Sequence, residues 1–92
     1  HNEIENLPSD LFKLFNLKKL NLSFNCIKNI QIEISNLLKL NFLNLSSNKI
    51  QNIPKQLGKL TNLTHLNISF NQISNLIIEE KSFCQLTELN IS

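Results

Sequence analysis

The chain has 92 residues, with nine Lys, no Arg and seven acidic residues, for a net charge of +2. That length suits one domain with a thin continuous core, and so small a charge gives no electrostatic basis for nucleic-acid binding. The sequence holds no basic stripe interleaved with aromatics, no signal or transit peptide, and no apolar run long enough to span a membrane. Leu and Ile supply nearly all the aliphatic bulk, a bias that goes with abundant Asn and Lys and that low-GC coding produces.

Taken in order, residues 1–16 read as part of a repeating unit, with Asn2, Leu7-Pro8, Leu11 and Leu14 in the positions that later units fill. Leu17 then opens the phrase LKKLNLSFN. It returns as LNFLNLSSN from Leu40, LTHLNISFN from Leu63 and LTELNIS from Leu86, a step of 23 residues each time. A fixed period in this range marks stacked supersecondary units. The segment around Leu43 and Leu45 alternates as a short half-buried strand does, while the spacing after Ile50 changes and Pro54 precedes Leu57 and Leu60. Each unit therefore forms a coil of strand, turn and loose helical or extended return. Its apolar residues (Leu40, Leu43, Leu45, Ile50, Ile53, Leu57 and Leu60 in the central unit) point inward.

One coil leaves both its flat faces open. Stacking at about 4.8 Å closes them and joins the strands into a parallel sheet. The expected organisation is a single domain over 1–92: a partial repeat 1–16, repeats from 17, 40 and 63, and a partial repeat 86–92. Both ends fall mid-repeat, so the chain reads as a piece of a longer solenoid, with self-association through uncapped ends as another outcome.

Asn2, Asn25, Asn48 and Asn71 keep the same step. An amide inside an apolar stack must find partners, because an unsatisfied one costs about 1–3 kcal/mol. These four are expected to form a structural ladder that ties the turn after each strand to the next coil.

With Leu, Asn and Pro in these places, the pattern LxxLxLxxNxIxxIPxxLxxL resembles the leucine-rich repeat along essentially the whole chain. The resemblance implies an α/β solenoid, a curved right-handed coil. A short parallel sheet would line its concave face, and irregular, 3₁₀ or short helical segments its convex side. It also implies a non-catalytic protein-binding scaffold. The 23-residue form with Pro8 and Pro54 is similar to the intracellular subclass of Ras-suppressor and Ras-scaffold proteins. That subclass implies a signalling partner such as a small GTPase. It also includes repeat domains fused to 2C-type phosphatases and adenylyl cyclases, so a regulatory or targeting segment of a larger signalling enzyme is the second reading. An extracellular receptor ectodomain is the third.

Residues flanking the core leucines of each strand should face outward. They are Lys19, Asn21 and Ser23; Phe42, Asn44 and Ser46; His65, Asn67 and Ser69; Glu88, Asn90 and Ser92, with Lys18 beside the first strand. The Asn column could hydrogen-bond along the sheet. The variable column Lys19, Phe42, His65, Glu88 is where specificity can be encoded. The expected partner-binding set is Lys18, Lys19, Asn21, Phe42, Asn44, His65, Asn67 and Glu88. Phe42 is either an aromatic anchor or a ring leaning on neighbouring strands. Phe24 and Phe70 are expected half-buried beneath the turn. Phe12, Phe15, Ile32 and Leu38 lie off the core register and are expected to patch the convex side or meet other parts of the parent protein.

The third return breaks the pattern. Glu80 stands where Leu57 predicts an apolar residue, so Glu79-Glu80-Lys81 should loop outward while Ile77 or Ile78 fills the gap. Cys26 and Cys84 lie more than two repeats apart, roughly 10 Å along the stack, beyond the reach of a disulfide. Free thiols suggest a reducing, cytoplasmic setting. Five Asn-x-Ser/Thr triplets begin at Asn21, Asn44, Asn62, Asn67 and Asn90; four arise from the strand phrase itself, and glycans there would crowd the sheet. No cofactor or metal is expected. His1 and His65 are the only histidines, Gly58 is the only glycine, and no nucleophile–base pair or phosphate loop stands out, so catalysis is not expected.

Overall fold

A computed structural model describes residues 3–74 and 87–90. Four three-residue strands, β1 (Lys19–Asn21), β2 (Phe42–Asn44), β3 (His65–Asn67) and β4 (Glu88–Asn90), form one parallel sheet in chain order. Their pairing keeps the 23-residue step without slippage: Leu20, Leu43, Leu66 and Leu89 lie side by side. Three 3₁₀ helices, η1 (Ser9–Lys13), η2 (Ile32–Asn36) and η3 (Lys55–Lys59), make the returns and stack on one another. The molecule is a solenoid, as the periodicity predicts.

Returns stay this short for a local reason. Pro8 and Pro54, at φ −67° and −68°, hold the residue before η1 and η3 extended, and Gln31 does the same before η2. Each helix ends when the backbone N–H of Leu14, Leu37 or Leu60 donates to a carbonyl three residues back. A tight 3₁₀ segment rarely runs longer, and here it only needs to bring two apolar side chains back to the core.

In the central coil Leu40, Leu43, Leu45, Ile50, Leu57 and Leu60 are fully buried, and Ile53 is half-buried. Each such Leu or Ile removed from water contributes roughly 1.5–3 kcal/mol before chain entropy is set against it. The first return departs from expectation. Leu14 remains 51% exposed although its equivalents Leu37 and Leu60 are at 0%, because no described coil covers its outer side. Phe12 is buried instead. It stands in the column that carries the small Ser35 and Gly58 in later coils, which leave room for a ring. Phe15, Ile32 and Leu38 are exposed on the surface. The third return, expected to be irregular, with Ile77, Ile78, Glu79, Glu80, Lys81 and Phe83, lies outside the described residues, as do Asn2, Cys84, Leu86 and Ser92.

Candidate functional site: the sheet face and the ladder behind it

The ladder asparagines occupy the turn that leaves each strand. Asn48 accepts at Oδ1 from the Ile27 N–H of the preceding coil (3.1 Å) and donates through Nδ2 to the carbonyls of Leu22, Leu45 and Ser46 (3.0, 3.0 and 3.1 Å). Asn71 repeats this one coil on, with the Ile50 N–H and the carbonyls of Leu45, Ile68 and Ser69. Asn25 holds Leu22 and Ser23 in the same way, but its bond from the Ile4 N–H is longer, at 3.4 Å. The amides reach back to the coil before, which corrects the expectation that they bridge to the next.

One residue before each ladder Asn the backbone turns left-handed: φ is 57° at Phe24, 56° at Ser47 and 56° at Phe70. A side chain with Cβ costs about 1–2 kcal/mol there. The turn aims the N–H groups of Phe24 and Ser47 at the Ser46 and Ser69 carbonyls of the following coil. It also swings the side chains out. Phe24 is 55% exposed and Phe70 73%, which corrects the expectation that both rings tuck beneath the turn.

On the sheet face, Lys19, Phe42, His65 and Glu88 are direct neighbours across the four strands. The Phe42 ring leans toward His65, with centroids 6.2 Å apart and planes at 33°. His65 Nε2 lies 3.4 Å from Glu88 Oε2, and its Nδ1 lies 2.9 Å from the Thr64 hydroxyl. Lys18 and Lys19 stand exposed at the β1 end. A shallow depression of about 80 Å³ runs over β2–β4, lined by Phe42, Leu43, Asn44, His65, Leu66, Asn67, Glu88 and Asn90.

Two columns differ from the sequence expectation. The serines do not face outward: Ser46 and Ser69 are buried. Their hydroxyls donate to Oδ1 of Asn44 and Asn67 at 2.7 Å, and their N–H groups to the same oxygens at 3.0 Å. Asn21 and Ser23 form the same pair. The Asn column therefore does not bond along the sheet through Oδ1. A side-chain oxygen reaches a backbone two residues on more easily than a strand 4.8 Å away.

Sequence reasoning also missed two coil-to-coil ties. The Thr64 and Thr87 hydroxyls donate to the carbonyls of Asn41 and Thr64, each at 3.0 Å. A second Asn column, Asn6, Asn29 and Asn52 among the described residues, bears an isolated parallel bridge between Asn29 and Asn52. The 23-residue step was the signal for both.

Among the described residues no cluster of His, Cys, Asp or Glu could hold a metal, and no helix is long and apolar enough to cross a membrane. Cys26 is a free thiol.

Residues 1–50 match the family model of the leucine-rich repeat, and residues 38–80 match a model of two leucine-rich repeat copies. No curated protein matches. Among solved structures, a leucine-rich repeat protein of Leptospira interrogans is 29% identical over 99% of this chain, with a TM-score of 0.90. An internalin of Listeria monocytogenes is 29% identical over 88% of the chain, with a TM-score of 0.74. This chain spans 23% of the length of each. Domains of this kind typically serve protein–protein interaction and are generally non-catalytic. With its repeats matched from residue 1 to residue 80 and its coils stacked in the same architecture, the chain belongs to the leucine-rich repeat family.

Proposed function

We propose that this chain docks a protein partner on the concave sheet, through Lys18, Lys19, Asn21, Phe42, Asn44, His65, Asn67 and Glu88. The observation that carries the reading is the in-register column Lys19, Phe42, His65, Glu88, the one line across the sheet whose chemistry changes at every strand. Beside it, the core leucines, the serines bonded to the asparagines and the threonines bonded to the carbonyl of the preceding coil are committed to the fold. A depression of about 80 Å³ is far below the roughly 300–1,000 Å³ of a small-molecule site, so a broad protein surface suits it better.

Within this reading the partner is an intracellular signalling protein, with a small GTPase as the type the subclass implies. Pro8 and Pro54 at equivalent turns and the free Cys26 thiol support that setting. The second reading is a regulatory or targeting segment of a larger signalling enzyme. Glycan attachment at Asn44 would move the protein outside the cell.

The test is Phe42→Ala combined with Lys19→Glu, with binding of a captured partner measured by calorimetry and folding checked by circular dichroism. Loss of an aromatic anchor and a charge should weaken binding about tenfold or more. Unchanged affinity with the fold intact overturns the assignment of the concave face.

A further inference from the structure

Two rows of side chains cross the sheet face. Lys19, Phe42, His65 and Glu88 make one, and Asn21, Asn44, Asn67 and Asn90, two residues further along each strand, make the other. In the second row the fold settles which end of the amide is committed. The backbone N–H groups of Ser23, Ser46 and Ser69 donate to Oδ1 of Asn21, Asn44 and Asn67 at 3.0 Å, and the three hydroxyls donate to the same oxygens at 2.7 Å. Of the two amide ends only the oxygen accepts from a backbone N–H, so none of the three can be turned round.

The nitrogen is what remains. Nδ2 of Asn21, Asn44 and Asn67 makes no such bond among the described residues, and Asn44 and Asn67 line the depression over β2–β4. The face therefore offers a row of NH2 donors at the strand step of about 4.8 Å. The first row adds a direction. Lys18 and Lys19 place exposed positive charge on β1, and Glu88 places an exposed carboxylate on β4. The rings of Phe42 and His65, with centroids 6.2 Å apart, fill the two strands between.

On the reading that this sheet docks a protein, we infer that it takes an extended segment of the partner laid across the strands. The segment carries an acidic residue, an apolar residue two places on and a basic residue two places beyond that. Alternate side chains of an extended chain point to one face, so these three meet the sheet together. Four residues of such a chain reach about 13–14 Å, and the three strand steps from Lys19 to Glu88 come to about 14 Å. The carboxylate then falls at Lys18, Lys19 and Asn21, the apolar side chain over the Phe42–His65 ring pair, and the cation at Glu88.

The charges on β1 and β4 select this dipolar segment over one of a single sign. A segment acidic at both outer positions sets a carboxylate against Glu88, and one basic at both sets an ammonium against Lys18 and Lys19. The amide row acts differently. It supplies donors, which suit the backbone carbonyls that any extended segment carries, and it holds the segment to the face without reading its side chains.

The test is an NMR titration of the full chain at low salt with three acetylated and amidated peptides, Asp-Ser-Leu-Ser-Lys, Asp-Ser-Leu-Ser-Asp and Lys-Ser-Leu-Ser-Lys. Binding is read at the side-chain amides of Asn44 and Asn67 and at the ring of His65. The first peptide should bind about fivefold more tightly than either of the others. Asn44→Asp keeps an oxygen for the Ser46 N–H and hydroxyl but replaces the remaining donor with an acceptor. It should weaken the first peptide about fivefold while keeping the circular dichroism of the parent. Equal binding of the three peptides, or equal binding to the Asn44→Asp variant, overturns the inference. So does the absence of any shift on the sheet face up to about 10 mM peptide. In each of these cases concave-face docking itself still stands or falls by the captured partner and the Phe42→Ala, Lys19→Glu variant.

Discussion

The coil that starts at Leu40 carries in its return the apolar and Asn pattern of the segment 3–16, yet the two end in different physical states. The first has a coil on each side, and six of its apolar side chains leave water entirely. The second has a described neighbour on one side only. Leu14 stays half in solvent, and the Ile4 N–H stands further from Asn25 than the Ile27 N–H does from Asn48. Identical letters acquire different energies because in a solenoid burial belongs to the interface between coils, not to the coil.

Truncating an enclosed leucine and a half-exposed one should show this difference most strongly. Leu43→Ala removes a side chain enclosed above and below, and chemical denaturation should register a loss of about 3 kcal/mol. Leu14→Ala, on the open side, should cost less than about 1 kcal/mol. Equal losses would mean that the end segment is covered in solution.

The ladder offers a second, smaller contrast. Asn48→Leu strands the Ile27 N–H and removes the donor to three carbonyls, so a loss of about 2–3 kcal/mol is expected by thermal melting. Asn25→Leu should cost about 1 kcal/mol, since its bond to the outer segment is long and part-exposed. The smallest effect should come from the left-handed turn. Ser47→Gly removes the Cβ penalty at φ 56° and should raise stability by up to about 1 kcal/mol, less what glycine adds to the freedom of the unfolded chain. A fall in melting temperature would show that Ser47 contributes more through its side chain than its backbone conformation costs.

The aromatics show where sequence reasoning reached its limit. Phe24, Phe42 and Phe70 are all large rings beside a strand, and the letters alone do not separate them. Phe42 lies on the sheet, where alternation sets its direction, and it leans on His65 as one of the two readings of it required. Phe24 and Phe70 follow the strand, where a left-handed residue reverses the alternation and turns the ring outward. Phe12 escaped for the opposite reason. It is buried in the column where later coils carry the small Ser35 and Gly58, a relation across coils that a single repeat does not display.

The sheet face was legible in part. The neighbours Lys19, Phe42, His65 and Glu88 follow from the period alone, because a constant 23-residue step leaves the strands no other register. The serine column was not legible. Ser46 and Ser69 sit at positions that alternation assigns to solvent, and only the short bond to the asparagine two residues earlier pulls them under.

By itself the sequence determined the coil: its length, its inward leucines, the asparagine that closes its turn, and the order in which strands pair. Those properties repeat along the chain, and a repeated pattern admits one stacking. Tertiary structure alone decided which rings swing outward and which polar groups pair locally. Each depends on what lies above or below a residue, or on one backbone angle, and neither is written in the residue's own repeat.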